Sequence, residues 1–115
     1  MLKIDSALPS PRIVNGIIEW YAFDTFSLGI SFDIKDADGE DIVLGTGDSV
    51  TVSVRNDRGE TVKEFEFENI TDNSVTLEFD GETTALFPEG MYFYDITADG
   101  DRRVTLAKGN RMRVR

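Results

Sequence analysis

Residues 26–34 read Phe26-Ser27-Leu28-Gly29-Ile30-Ser31-Phe32-Asp33-Ile34, with an apolar side chain at every second position. A period of two is that of a strand buried on one face, whereas a helix needs repeats of three and four. Phe26, Leu28, Ile30, Phe32 and Ile34 are therefore expected to line a core. The run ends at Asp36-Ala37-Asp38-Gly39, where Asp-Gly supplies the positive φ of a tight turn.

The same alternation continues in both directions. Arg12 to Tyr21 is a first β-rich run. Ser49 to Arg55 sets Val50, Val52 and Val54 on one face and Ser/Thr on the other, then turns through Asn56-Asp57-Arg58-Gly59. Thr61 to Ile70 gives another strand, and Asn73 to Phe79 points Val75, Leu77 and Phe79 inward. Glu82 to Phe87 has a weak helical look, which Pro88 and Gly90 limit to about one turn. Gly90 to Ile96 restarts β structure, Asp99-Gly100 turns it, Arg103 to Leu106 returns, and Gly109-Asn110 bends the chain into Arg111-Met112-Arg113-Val114-Arg115. The expectation is an all-β chain of about seven antiparallel strands in two sheets, since no stretch offers a helix for a parallel crossover. Residues 1–11 are expected to be an N-terminal arm or lead-in strand, made extended by Pro9 and Pro11, and 12–115 a single domain.

The 115 residues and 12.9 kDa suit one core, and 40% hydrophobic with 30% charged residues is ordinary globular composition. No apolar run approaches the ~20 residues of a membrane span, so no membrane partner is expected. The absence of Cys and His removes disulfides, thiolate and imidazole metal sites, Cys nucleophiles and the usual general base of hydrolases. No enzyme activity, cofactor or metal is expected. The start, Met1 to Pro9, lacks the apolar segment of a secretory signal, which makes cytoplasmic synthesis the expectation.

Net charge is −10 and unevenly placed. Residues 1–101 carry all 22 acids beside six basic residues, a net of −16, while 102–115 hold Arg102, Arg103, Lys108, Arg111, Arg113 and Arg115 with no acid, a net of +6. The acidic body repels nucleic acid, and the basic end lacks interleaved aromatics, so no nucleic-acid partner is expected. Two ladders stand out. Glu64-Phe65-Glu66-Phe67-Glu68 puts acids on one strand face, and Arg111, Arg113 and Arg115 do the same with opposite sign. As neighbours in one sheet they would make favourable cross-strand pairs. As non-neighbours they are either solvated outer faces or complementary stripes that meet between molecules, in a homo-oligomer or with another subunit.

Leu86-x-x-x-Gly90-x-Tyr92-x-Tyr94-Asp95 resembles the corner before the sixth strand of immunoglobulin-like sandwiches, where a Tyr hydroxyl bonds back to the backbone. The resemblance makes Tyr92 the corner tyrosine. It puts Tyr94 where antibody domains keep a cysteine, with Trp20 or a Phe completing an aromatic core. The order of parts is also similar to phage tail and baseplate domains typified by the N-terminal domain of the baseplate upper protein. The shared elements are the strand Thr25 to Ile34, the Asp38-Gly39 turn, Gly47-Asp48-Ser49-Val50, Gly90 to Asp95, and an Asp-Gly hairpin into Val104-Thr105-Leu106-x-x-Gly109. It implies an immunoglobulin-like β-sandwich made in the bacterial cytoplasm as a virion component, without catalytic residues, joining tail or baseplate proteins. The alternative is a bacterial carbohydrate- or protein-binding module of the same fold.

Other chemistry fails on spacing. Asp33, Asp36, Asp38, Glu40 and Asp41 are the densest acidic cluster, yet an EF-hand aligned on Gly39 would need ligands where the chain has Ile34 and Gly45. A solvated hairpin tip or a weak, irregular Ca²⁺ site remains. Carboxylate pairs for glycoside hydrolysis are abundant but lack a cleft, and a Ser nucleophile lacks its histidine. Gly45-Thr46-Gly47-Asp48 has neither the Lys nor the helix of a phosphate loop.

Overall fold

The structure is a computed structural model that describes residues 2–5, 11–70, 73–100 and 102–115, with backbone only for 2–5. It is all-β, in two sheets. The strands are β1 Leu2–Asp5, β2 Arg12–Val14, β3 Ile17–Trp20, β4 Phe26–Phe32, β5 Ser49–Asn56, β6 Thr61–Glu68, β7 Ser74–Phe79, β8 Gly90–Asp99 and β9 Arg103–Val114, with one helical turn, α1 Gly81–Thr84, before β8.

A three-stranded sheet has the order β1-β4-β7, and a six-stranded sheet the order β2-β3-β9-β8-β5-β6. Nine strands among the described residues exceed the expected seven or so, for two reasons. Residues 2–5 pair with β4, and 12–21 is a hairpin rather than one run. Its turn is Asn15-Gly16 at φ 51° and 78°, the left-handed pair of a two-residue hairpin. Pro9, read as part of an extended lead-in, lies outside the described residues. The pairing is not wholly antiparallel either, because β9 inserts between β8 and β3 and runs parallel to β3, with Glu19 beside Arg113 and Trp20 beside Val114.

The alternation read in β4 becomes burial: Phe26, Leu28, Ile30, Phe32 and Ile34 are all buried, as are Val50, Val52 and Val54 of β5 and Val75, Leu77 and Phe79 of β7. Trp20 sits among rings at one end of this core, 5.3 Å from Phe26, 5.1 Å from Phe79 and 5.9 Å from Phe87 by ring centroids. Phe26 stacks on Phe79 at 4.6 Å. Asp80 caps α1 by accepting from the Thr83 amide at 2.8 Å, which draws its carboxyl below the usual range.

Two turns share one device. In Asp36-Ala37-Asp38-Gly39-Glu40 and Asn56-Asp57-Arg58-Gly59-Glu60 the leading side chain accepts from the amides two and four residues on, at 2.9 and 3.0 Å in the first and 3.0 Å for both in the second. Gly39 and Gly59 follow at φ 82° and 81°. The expected break at Gly109-Asn110 is instead a bulge inside the single strand β9. Lys108 and Gly109 together face Asp95, Gly109 has φ 66°, and its amide donates to the Asp95 carboxylate at 2.7 Å.

Candidate interaction surface

The outward face of the six-stranded sheet gathers most of the charge singled out in the sequence, in two separate territories. At one side, the β2–β3 hairpin sets Arg12 beside Glu19 and the parallel pairing sets Arg113 beside it from β9. Glu19 is 2% exposed although it points away from the core, because three arginines cover it: Arg115 at 3.2 Å, Arg113 at 3.3 Å and Arg12 at 3.7 Å. The hydrogen bond from Arg115 lowers the Glu19 carboxyl below its ordinary range against the opposing effect of burial, helped by the charges of Arg115, Arg113 and Arg12. Arg113 also donates to the Met91 sulfur at 3.2 Å. The sequence reading passed over Glu19. Its signal was a lone acid within Ile17-Ile18-Glu19-Trp20; Arg12 faces it across the local hairpin, but its hydrogen-bonding partners Arg113 and Arg115 lie more than 90 positions away and arrive only through the parallel pairing.

At the other side, β6 forms the edge of the sheet, separated from β9 by β8 and β5. The two ladders are therefore not neighbours, and no cross-strand pairs form between them. Glu64, Glu66 and Glu68 are exposed and stand opposite Ser53, Thr51 and Ser49 of β5. Only Glu64 gains a contact from that row, from the Ser53 hydroxyl at 3.4 Å. Phe65 turns into the core and touches Phe79 at 5.3 Å between centroids, while Phe67 is half-buried. The basic ladder is divided in use. Arg113 and Arg115 hold Glu19, whereas Arg111 is exposed opposite Phe93 and makes no ion pair among the described residues. Between the territories, Arg55 bridges to Asp95 at 3.0 Å.

Gly90, Tyr92 and Tyr94, expected at a corner, lie in the first half of β8. The Tyr92 hydroxyl donates to the Pro88 carbonyl at 2.6 Å, Gly90 opens β8 beside Val114, and the Tyr94 hydroxyl accepts from Asn110 at 3.3 Å. Burial raises both phenols above the usual 10.0. Tyr21 and Phe23 are 55% and 73% exposed, Phe23 with the unusual φ of 71°, and the Arg12 guanidinium lies 5.9 Å from the Tyr21 ring centre. A cavity of about 290 Å³ is lined by Ile34, Ile42, Leu44, Ala98 and Val104.

The acidic cluster at 33–41 is a hairpin tip in which Asp36 accepts backbone amides and Lys35 bridges Asp33 and Asp41. No group of three acids is arranged to hold a metal ion among the described residues. Asp48 closes its own turn by accepting from the Gly45 amide at 2.8 Å. No helix is long and apolar enough to cross a membrane among the described residues. Comparison with protein families, with curated proteins and with solved structures finds no match for the chain.

Proposed function

We propose that the chain is a non-catalytic interaction module, an immunoglobulin-like β-sandwich that joins protein subunits through a charged strand face. The observation that carries this reading is the row Glu64, Glu66, Glu68, which is exposed on an edge strand with Ser and Thr in place of cations opposite. Carboxylates so placed repel one another unless a cationic partner meets them. The Tyr92 bond to Pro88 supports the immunoglobulin-like reading, because it is the contact by which such sandwiches fix the corner between sheets. On the resemblance of the chain from about Tyr21 onward, the setting is a phage or prophage tail or baseplate, with other virion subunits or a second copy as partners.

Size exclusion with light scattering tests the homotypic form. Mass is read at about 0.01 M and about 1 M ionic strength, where charges are screened over about 30 Å and about 3 Å. Association at low salt that is lost at high salt, and lost with Glu64→Gln, Glu66→Gln and Glu68→Gln together, supports assembly through this face. A monomer throughout overturns self-assembly and leaves a different subunit as partner.

The exposed pair Tyr21 and Phe23 favours the second reading, a carbohydrate- or protein-binding module whose ligand stacks on those rings. Binding that survives Tyr21→Ala with Phe23→Ala removes it.

A further inference from the structure

Among the described residues, β6 has a hydrogen-bonded neighbour on one side only, β5. Eight residues long, without Pro or Gly, it presents a row of backbone groups along its outer edge. A bulge at Val62, where Thr61 and Lys63 stand opposite Arg55 and Val54, interrupts its start, and from Lys63 to Glu68 the edge runs regularly with no covering strand among the described residues. β7 is likewise the last strand of its sheet. Between these two edges runs an open groove of about 280 Å³, lined by residues 63–67 of β6, Lys63 among them, from one side and by Thr76, Glu78 and Thr83 from the other. Polar backbone, the aromatics Phe65 and Phe67 and the carboxylates Glu64 and Glu66 thus line one slot, with Lys63 at its start and Glu68 just beyond it.

We infer that the β6 edge receives an extended segment of a partner protein by strand addition, and that the segment carries Lys or Arg at alternate positions with apolar residues between. The inference deepens the interaction-module reading and rests on it. In strand addition the main chain supplies affinity and alternate side chains supply specificity. Here the outward positions of an incoming strand would stand beside Glu64, Glu66 and Glu68, about 4.5–5.5 Å away between Cβ atoms, and call for cations. The inward positions would continue the row of Phe65 and Phe67 and call for apolar groups.

A second copy of the chain is a poor occupant. Its β6 would set like charges side by side. Its one alternating basic strand, β9, is already hydrogen-bonded on both sides, by β3 and β8, and its Arg113 and Arg115 are held by Glu19. The occupant is therefore a segment of a different protein.

The test titrates the intact, isotope-labelled protein with the capped peptide Lys-Val-Arg-Val-Lys-Val-Arg and with a reordered peptide of equal composition, Lys-Arg-Lys-Arg-Val-Val-Val, at low ionic strength. The expected result is saturable binding of the alternating peptide, slowed hydrogen exchange at the amides of residues 61–68, and affinity about tenfold weaker for the reordered peptide. The surface triple variant Glu64→Gln, Glu66→Gln, Glu68→Gln, which leaves Phe65 and the core untouched, is expected to lose about tenfold in affinity for the alternating peptide. Equal binding of both peptides overturns strand addition while leaving charge-directed association standing. Binding of neither also overturns it, as does slowed exchange at β1 or β2 in place of β6. The parent reading is judged apart from it by the salt dependence of peptide binding to the parent protein and the triple variant: equal affinity and equal salt dependence in both overturn docking on this face, whatever the peptide order.

Discussion

Replacing Tyr92 by Phe removes one hydroxyl and leaves the ring, which packs 5.1 Å from Phe87 in the core with only 5% of the residue exposed. The hydroxyl donates to the Pro88 carbonyl at 2.6 Å, a short and well-made bond. Such a bond contributes about 0.5–1.5 kcal/mol net, and a buried acceptor left bare costs about 1–3 kcal/mol. Leu86, Pro88 and Glu89 are exposed, so water can reach the freed carbonyl and the lower part of that range applies, about 1–1.5 kcal/mol. With about 2.1 cal/mol/K of unfolding entropy per residue over 115 residues, 1 kcal/mol corresponds to about 4 °C, so Tm should fall by about 4–6 °C. Urea unfolding followed by circular dichroism should show a lower midpoint at unchanged slope. The control is Tyr94→Phe, whose hydroxyl accepts a longer 3.3 Å bond from Asn110 and should matter less. If Tyr92→Phe unfolds within about 0.3 kcal/mol of the parent, the hydroxyl does not fix the turn before β8.

Leu28→Ala, at a fully buried position of β4, should cost about 2–5 kcal/mol by lost transfer and a residual cavity, read as a drop in the urea midpoint. Gly59→Ala forces a Cβ into φ 81° and should cost about 1 kcal/mol, with Gly39→Ala at φ 82° losing a similar amount and Asn at either site less; equal thermal stability of all four variants and the parent would contradict the turn assignment. Glu19 has a folded-state carboxyl pKa below its ordinary 4.5, so its contribution is present above that value and is lost as pH falls through the lower one. Acid unfolding of the parent should therefore steepen below about pH 4.5, and Glu19→Gln should flatten that limb while lowering stability at neutral pH. Identical acid limbs would refute it.

The strands that form the core were legible because their period is local. Phe26 to Ile34, Val50 to Val54 and Val75 to Phe79 each present one apolar face whatever they pair with, and each is buried. The hairpin tips were equally legible, since Asp36 to Gly39 and Asn56 to Gly59 form their turns from their own side chains and glycines. What failed depended on pairing at a distance. Asn15-Gly16 is the exception, a local hairpin signal passed over because it sits inside an apolar run; by contrast, nothing in residues 103–115 announced that the strand would continue through a bulge at Gly109, held by a carboxylate 14 positions earlier. The two charged ladders were visible as patterns. Their different fates were not, because Arg113 and Arg115 meet Glu19 only once β9 lies parallel to β3, whereas β6 lies at an edge where Ser49, Thr51 and Ser53 of β5 stand opposite its acids.

Docking of a cationic partner on the row Glu64, Glu66, Glu68 is read out by calorimetric titration of the alternating Lys/Arg peptide into the parent and into the triple Gln variant, each across a series of salt concentrations. The parent's affinity should fall steeply as salt rises, and the variant should bind weakly with a nearly flat dependence. The same steep dependence and the same affinity in both proteins would place the cation's contacts elsewhere on the −10 surface and contradict docking on this row.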